Sequence, residues 1–556
     1  MSLRLTPGVK FILAALPKLT LPGAIVYLVA HHLSYARWVC VLGSMAAWPL
    51  LSLVHAQLRH MAEEREIRAL GAVRVPEVKG KWPWNLDLVV GRLKQGKDGY
   101  PFDAVEVMTR QYGETFNMCI FGENRVVTQN PTHIQKMYAT DFEGWEKGDR
   151  FRWQFASLGL GVFVSDGSMW RFHRQMMRPF FSRDRITDLD NFSRHCENAL
   201  DVLRASDGVP IDFQDVAFRF TLDAAAEFLC GVRINSLHGD ENSQTFGPAM
   251  SSLQHQLAQR SRMAPLWPFF EIKRDKTRVY LDAIQNFFRP IIQAALEKKV
   301  ANDGNAAPSD TLLDELLEKT SDPQLILDQT MNVLFAGRDT TAATITFLTY
   351  CLATHPPVLA RVRAEIAAQL GDLRSPTFED IKELKLLRAT INETLRLFPP
   401  VPGNVRSAIR STTLPSNIQG GKPYYIPAGT KVPFSTMTMH KSKKFWGDDA
   451  DNWDPDRFLD ERNQRVVSNP FIFLPFSAGP RICLGQQFAY QEISFFIVRL
   501  LQTFQSIELA PEAQPEDSRP PAAWANGPGR KKLEKIKPKS DLTMSVAGGL
   551  WLTVKT

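Results

Sequence analysis

Cysteine is sparse and scattered. The six residues, Cys40, Cys119, Cys196, Cys230, Cys351 and Cys483, share no short spacing. That argues against a disulfide framework or a zinc site and fits a reducing, cytosolic setting. A strong charge bias is also missing, since the formal net charge is only +7 over 556 residues. The positive residues are dispersed, without a basic helix or an aromatic-basic repeat, so no nucleic-acid partner is expected. An anionic membrane surface or an acidic protein is the better match. No internal repeat is visible, which leaves no case for a repeat architecture. The hydrophobic content of 44% supports a large core.

Long uncharged runs are present, and they sit at the N-terminus. Trp38 to Val54 is apolar and close to the length that spans a bilayer. Arg59, His60, Arg65 and Arg68 follow it and favour a cytosolic C-terminal side. Glu63, Glu64 and Glu66 count little in that rule. An earlier apolar stretch, Phe11 to Ala30, is interrupted by Pro17, Lys18 and Pro22. It reads as a second span, a re-entrant piece or an interfacial helix, with a cleaved signal peptide as the alternative. Residues 1–60 are thus expected to form a membrane anchor of one or two apolar segments. Residues 61–90 carry Pro76, Pro83, Trp82 and Trp84 and read as a semi-rigid linker with tryptophans at the interface. A catalytic domain is expected over 91–556.

Within that domain, Thr115 to Asn130 gives a hairpin signal around Gly122-Glu123-Asn124. Most of the rest is helical in pattern. Trp170 and Arg174 follow a helix start at Asp166-Gly167-Ser168, and their spacing puts both on one face. Arg171, His173, Arg174 and Arg178 make this helix basic, which is usually just a solvated face. Met263 to Phe270 is strongly apolar with two prolines, and reads either as core or as a lid dipping into the membrane. Ala301 to Asp310 reads as a loop. The apolar helix Leu325 to Tyr350 contains the polar island Ala336-Gly337-Arg338-Asp339-Thr340-Thr341, which needs a reason because buried unpaired polar groups are costly. The alternatives are a hydroxyl bonded back to the preceding turn or a helix opened for chemistry. On Leu384 to Leu397, Glu393 and Arg396 lie three apart and can pair. Pro399 to Arg410 is extended. Residues 512–541 are rich in proline and charge and read as a flexible insertion. Leu542 to Val554 reads as a closing hairpin with Gly548-Gly549 at or near its turn.

The most informative stretch is Phe473 to Gly485. Around Cys483, Phe476 lies seven residues before, Gly479 four before, Arg481 two before and Gly485 two after. A thiolate is a strong donor to haem iron, and nearby cations and backbone N–H groups keep it deprotonated. Gly479 and Gly485 allow tight turns and close approach to a flat cofactor. Phe476 can shield the sulfur or pack on the porphyrin, and Arg481 can pair with a propionate through its fork. A buried structural cysteine is the plainer alternative, but five positions specified together favour a motif.

These residues resemble the haem-binding loop of cytochrome P-450 monooxygenases, and the likeness extends from about Thr109 to Thr556. It implies a mainly α fold with small β-sheets, behind an N-terminal transmembrane anchor. It implies haem b with Cys483 as the axial ligand of iron. Trp170, Arg174, Arg406 and Arg481 would serve the propionates, with Phe476, Gly479 and Gly485 shaping the loop. Asp339 and Thr340 match the oxygen-activation pair, with Ala336 and Gly337 leaving room above the haem. Glu393, Arg396 and Arg457, the last from Pro455-Asp456-Arg457-Phe458, match a structural triad. Val401, Asn404 and Val405 would line the substrate pocket. The basic helix after Asp166 would border the face where a reductase docks. No flavin domain is expected after Gly549, so electrons would come from NADPH–cytochrome P-450 reductase, with cytochrome b5 as an optional second partner. The catalytic domain would sit on the cytosolic side of the endoplasmic reticulum membrane, in contact with membrane lipid and an apolar small-molecule substrate.

Leu158 to Phe163, Phe335 to Ala342, Val401 to Arg406 and Gly485 to Ala489 are similar to fungal alkane and fatty-acid hydroxylases. That group implies terminal or near-terminal oxidation of long chains, with broad oxidation of alkylphenols and polycyclic aromatics as the alternative. Two other classes stay open: a reductase-independent hydroperoxide isomerase, and a non-catalytic haem or lipid binder. Neither needs both Asp339 and Thr340.

Overall fold

A computed structural model describes residues 5–181, 189–239, 241–301 and 311–556. The loop expected over Ala301 to Asp310 lies, beyond its first residue, outside the described residues. Two apolar helices open the chain, α1 (Pro7–His32) and α2 (Arg37–Ala69), and both are long and apolar enough to cross a membrane. They fit a membrane anchor. Pro17 and Pro22 do not break α1, as is usual for helices whose neighbours can satisfy the freed backbone groups. The two helices approach closely at small residues. A Cβ on Gly23 would lie 2.9 Å from the Ser44 hydroxyl oxygen, and one on Gly43 would lie 3.4 Å from Val26.

The expected boundary at residue 60 and the separate linker over 61–90 are not what the chain adopts. Helix α2 runs unbroken to Ala69, and Ile67 and Ala72 pack with Tyr425. Val73 then pairs in parallel with Tyr424, Glu77 pairs with Asn117, and Val78 is buried. Backbone pairing therefore welds this stretch to the catalytic domain. Trp82 and Trp84 remain largely exposed, just before α3 (Leu86–Asp98).

The catalytic domain is built on α4 (Gly167–Met177), α5 (Phe213–Cys230), α6 (Glu241–Arg262), α7 (Pro323–Thr354), α8 (Lys385–Leu397) and α9 (Gln486–Thr503), among other helices. Helix α7 is the axis. Asp322 caps it by accepting from the N–H groups of Gln324 and Leu325, and Pro323 occupies its first turn. Its side chains from Ile326 to Leu352 are mostly buried, so it is apolar nearly all round rather than striped. It packs between α5 and α9.

Four small sheets flank the helices. The largest has the order β1 (Thr115–Asn117), β2 (Val126–Thr128), β8 (Lys431–Phe434), β5 (Asn404–Ala408), β3 (Trp145–Glu146). The expected Thr115–Asn130 hairpin is its β1–β2 pair, antiparallel with Phe116 opposite Val127. A second sheet joins β4 (Ile211–Asp212), β12 (Trp551–Lys555) and β9 (Ser506–Leu509). The pairs β6 (Thr412–Leu414) with β7 (Tyr424–Ile426), and β10 (Pro538–Ser540) with β11 (Met544–Val546), complete the set.

Two C-terminal expectations are corrected. Leu542 to Val554 is not one hairpin, because β11 pairs with β10 while β12 pairs with β9 and β4. Gly548 and Gly549, both at positive φ, carry the chain from one sheet to the other. The 512–541 segment is not a flexible insertion either. Trp524 is buried and meets the Tyr100 ring edge-on at 5.4 Å. Glu534 is buried, accepts from Tyr100 (3.1 Å) and Tyr350 (2.9 Å), and pairs with Arg530 at 2.8 Å. Arg530 also donates to the Asp451 carbonyl. A composition that suggests disorder is held by one buried, mutually satisfied polar network and an aromatic anchor.

Candidate active site

A cavity of about 1310 Å³ lies between α7 and the Phe473–Gly485 loop. Its lining includes Cys483, Phe476, Arg481, Gly485, Ala336, Gly337, Thr340, Val401, Asn404 and Val405. Cys483 opens onto this cavity while its sulfur sits deep in the protein. Burial pushes its thiol pKa up, while the Gly485 N–H and the Arg174 charge act the other way. The loop is fixed from several sides. The Cys483 N–H donates to the Phe476 carbonyl at 3.0 Å, and the Phe476 ring packs on Tyr490. Gly479 has φ +60°, and a Cβ there would collide with the Tyr138 carbonyl. Its need for glycine therefore comes from the left-handed backbone and the neighbouring Tyr138 carbonyl. Gly485 has ordinary dihedrals as the cap of α9, and a Cβ would merely touch Phe181 at 3.5 Å. The expected turn is present at Leu484-Gly485, leading into α9, but at dihedrals open to any residue.

Cations gather on one wall. Arg406 is buried, lies 4.4 Å from the Tyr138 ring centre, and has Nε and Nη1 without hydrogen-bond partners. Arg481 lies 4.5 Å over Trp170 and donates to the Ser165 carbonyl (2.9 Å) and to Asp166 (2.8 Å), while its Nε is unpartnered. Burial and the Arg406 charge lower its pKa to about 10. Lys147 donates to the Asn404 side chain at 2.7 Å. Its pKa falls well below the usual lysine value, chiefly by burial and then by the charges of Arg406 and Arg481. The Tyr138 hydroxyl is buried without a partner as well. One buried cation, Arg406, and two half-buried ones, Arg481 and Lys147, gather here, with Asp166 pairing Arg481, and they leave polar atoms unsatisfied. That is the donor set two further carboxylates would complete, and it fits the propionates of a haem for which Cys483 would be the thiolate ligand.

Trp170 and Arg174, the expected propionate pair, share α4 and both line the cavity. Arg174 donates to the Ile482 carbonyl at 2.8 Å, next to Cys483, so it braces the loop. Trp170 is the platform beneath Arg481. The expected basic face of α4 also shrinks. His173 is buried against the Ser165 hydroxyl, and only Arg171 and Arg178 stay exposed.

On the opposite wall, α7 passes the cavity without a break. The Thr340 hydroxyl donates to the Ala336 carbonyl at 2.6 Å, the back-bonded arrangement, and no local opening is present. Gly337 leaves space, since a Cβ there would meet only Ala225 at 3.8 Å. Asp339 points away from Thr340. It is buried, pairs with Arg338 at 3.0 Å and accepts from the Gln254 side-chain amide. Burial raises its carboxyl pKa, against the pull of Arg338 and Gln254. Asp339 borders a second, polar cavity of about 640 Å³, and Gln254 lines both cavities.

The triad residues meet behind the loop. Arg396 clasps Glu393 with two bonds of 2.7 Å, and Arg457 lies 3.5 Å from the same carboxylate. All three side chains are buried. Arg396 also donates to the carbonyls of His440, Ala450 and Asn452, and Arg457 reaches Asp449 and the Trp446 carbonyl. His440 connects this unit to the loop. Its Nε2 accepts from the Leu474 N–H at 2.9 Å, and its Nδ1 meets the Arg396 carbonyl at 3.2 Å. His440, Lys147 and Gln254 escaped sequence reasoning, because each stands outside any motif and gains its place only through distant partners.

Comparison with known proteins agrees with this geometry. The cytochrome P450 family model matches residues 82–534. Cytochrome P450 52E1 of Candida apicola is 35% identical over 404 residues, 70% of this chain and 77% of its own. Cytochrome P450 monooxygenase himC of Aspergillus japonicus is 33% identical over 431 residues, 76% and 75% of the two chains. Cytochrome P450 52A3-A of Candida maltosa is 31% identical over 514 residues, 88% and 96%. Among solved structures, the heme domain of cytochrome P450DA has the same fold, with a TM-score of 0.68 at 21% identity, covering 87% of this chain and 97% of that one. The chain belongs to the cytochrome P450 family and is an oxidoreductase of the monooxygenase type.

Proposed function

We propose that the protein hydroxylates long-chain alkanes or fatty acids at or near the chain end, using haem b. Cys483 would hold the iron, and Arg406, Arg481 and Lys147 the propionates. When bound, the haem supplies reductive oxygen activation and delivery of one oxygen atom to carbon. The protein's own work lies around it. Arg174 and the Gly485 N–H act against protonation of the sulfur. The Thr340 hydroxyl holds a proton at the cavity wall. Asp339 faces the polar second cavity and not Thr340, so proton resupply from it would run past Gln254, which lines both cavities. Phe102, Phe155, Phe228, Val401 and Val405 exclude water and orient an alkyl chain.

Electrons would come from NADPH–cytochrome P-450 reductase, with cytochrome b5 as a second donor. Location at the cytosolic face of the endoplasmic reticulum is supported by the anchor's two feet. The first turn of α1 touches the catalytic domain, where the Thr6 hydroxyl donates to the Ile272 carbonyl at 2.7 Å and Phe11 meets Phe269 at 5.2 Å. The last turn of α2 packs through Ile67. A membrane hairpin with both ends on the catalytic side accounts for both contacts.

The observation that carries the substrate reading is a largely apolar cavity that also contains Cys483. Optical titration of the ferric protein with dodecanoic acid, hexadecane and pyrene tests it. A low-to-high-spin shift of the Soret band is expected with the linear chains. A shift with pyrene alone would replace this reading with broad oxidation of aromatics.

A further inference from the structure

Two stretches of chain form one wall of the cavity that holds Cys483. Near its C-terminal end, α6 supplies Ala258, Ser261 and Arg262, and the apolar segment Ala264–Glu271 follows directly. Opposite it, the short helix Asp149–Gln154 supplies Phe151 and Gln154, with Phe155 just after. Two fastenings join these stretches. The first is polar: buried Arg260 grips Glu271 at 2.6 and 2.8 Å and Asp275 at 2.8 Å, and donates to the Gln154 carbonyl at 3.3 Å. The second is aromatic: Trp153 meets Trp267 with ring centres 4.6 Å apart. Among the described residues neither tryptophan lines the cavity, so this pair backs the wall rather than forming it.

The first anchor helix adds a third ring to that aromatic layer. Phe11 lies edge-on to Phe269 at 5.2 Å and stacked on Trp153 at 6.0 Å, so one side chain of α1 touches both stretches. The seat for α1 is close-fitting. Gly8 is buried, and a Cβ there would collide with the Pro268 carbonyl and lie 2.7 Å from the Ile272 nitrogen. Only a glycine lets the two backbones meet in this way. The Thr6 hydroxyl completes the contact through its bond to the Ile272 carbonyl. The fastenings differ in strength. Breaking a buried ion pair is costly, whereas each ring contact is weak. The seam between the two stretches therefore parts most readily at the rings, with Arg260 as the hinge.

We propose that Phe11, set between Trp153 and Phe269, is a latch on the seam through which a long-chain substrate passes from the bilayer into the cavity, so that α1 sets the rate of entry and release. The inference rests on the long-chain reading above and adds to it the route and the element that controls it. Phe269 and Phe270 present half-exposed rings beside the seam, an apolar approach for a chain dissolved in lipid. A tilt of α1 carries Phe11 off both rings together. Among the described residues Phe11 does not line the cavity. It holds the seam shut equally with and without substrate inside, so loosening it speeds entry and release alike and leaves affinity where it was.

The full-length holoenzyme in phosphatidylcholine nanodiscs is mixed with dodecanoic acid in a stopped-flow instrument, and the Soret shift gives the rate of entry. Release is followed into excess empty vesicles. Phe11→Ala and Gly8→Leu are the test variants, the second unseating α1 as a whole. Phe11→Tyr keeps the ring, and Leu19→Ala alters α1 away from the seam. The latch predicts that Phe11→Ala raises both rates about three- to tenfold, as for loss of ring contacts. Affinity stays within about twofold, Gly8→Leu does at least as much, and Phe11→Tyr stays near the parent rates. Imidazole, which reaches the iron from water, binds at an unchanged rate. Unchanged or slower entry in both test variants overturns the latch while the long-chain reading stands. Altered affinity at an unchanged entry rate makes α1 part of the pocket and also overturns it. Equal acceleration by Leu19→Ala, or of imidazole, shows general loosening and overturns it too. No Soret shift with dodecanoic acid in the parent protein overturns the long-chain reading and the latch together.

Discussion

The thiolate side of the molecule and the entrance side are built by different rules. Behind the Cys483 loop, the side chains that hold it are buried and bonded several times over, as with Glu393, Arg396, Arg457 and His440. Around the entrance, the corresponding features are under-bonded. Among the described residues Arg92 lacks a partner, Phe269 and Phe270 stay half exposed, and the foot of α1 touches this region through a ring contact with Phe269 and one hydroxyl bonded to Ile272. The first region fixes a geometry. The second leaves hydrogen-bonding groups unpartnered and apolar surface exposed, as the proposed entry of substrate from a membrane would require.

The largest expected effect lies on the thiolate side. Glu393→Ala would leave Arg396 and Arg457 without the buried acid between them, a loss on the order of 3–5 kcal/mol. The expected product is unfolded, haem-free protein, read by haem content and by thermal melting. A variant that folds and carries haem would reduce the triad to an ordinary ion pair, and with it the contrast between the two sides.

A smaller effect is expected on the α7 wall, between the two regions. Thr340→Ala should leave folding and haem content intact, since it removes only a hydroxyl bonded to its own helix. Substrate-driven NADPH oxidation should continue, with hydrogen peroxide rising at the expense of hydroxylated product. Unchanged coupling would take Thr340 out of proton delivery and leave its bond to Ala336 as purely structural.

The same contrast explains what the sequence disclosed. Cys483, Glu393, Arg396 and Arg406 were legible because each belongs to a short, fixed-spacing pattern tied to one chemical need. Their partners His440 and Lys147 were not, since they act through residues dozens to hundreds of positions away. The island on α7 was legible as a polar exception, but its geometry was not. One reading had the helix open, and the chain keeps it closed with Thr340 bonded back. Composition misled at 512–541, where proline and charge suggested a free segment. Nothing local announces that Glu534 will meet Tyr100 and Tyr350 in the core. The α1 prolines left three readings open, and the unbroken helix fits the second span among them, since a helix packed on a neighbour can carry prolines.

The smallest functional effect, and the sharpest test of the entrance side, concerns which way the anchor runs. The foot of α1 and the end of α2 both touch the catalytic domain, so the turn at Leu33–Ala36 should lie across the membrane from it. Acceptor Asn-X-Thr sequences placed before Thr6 and within that turn, on separate chains expressed in microsomes, would report this directly. Glycosylation is expected only at the turn, with activity little changed in either chain, because neither insertion reaches the cavity. Glycosylation before Thr6 would put the N-terminus in the lumen. The contact of Phe11 with Phe269 would then be impossible in the membrane, and α2 alone would carry the domain.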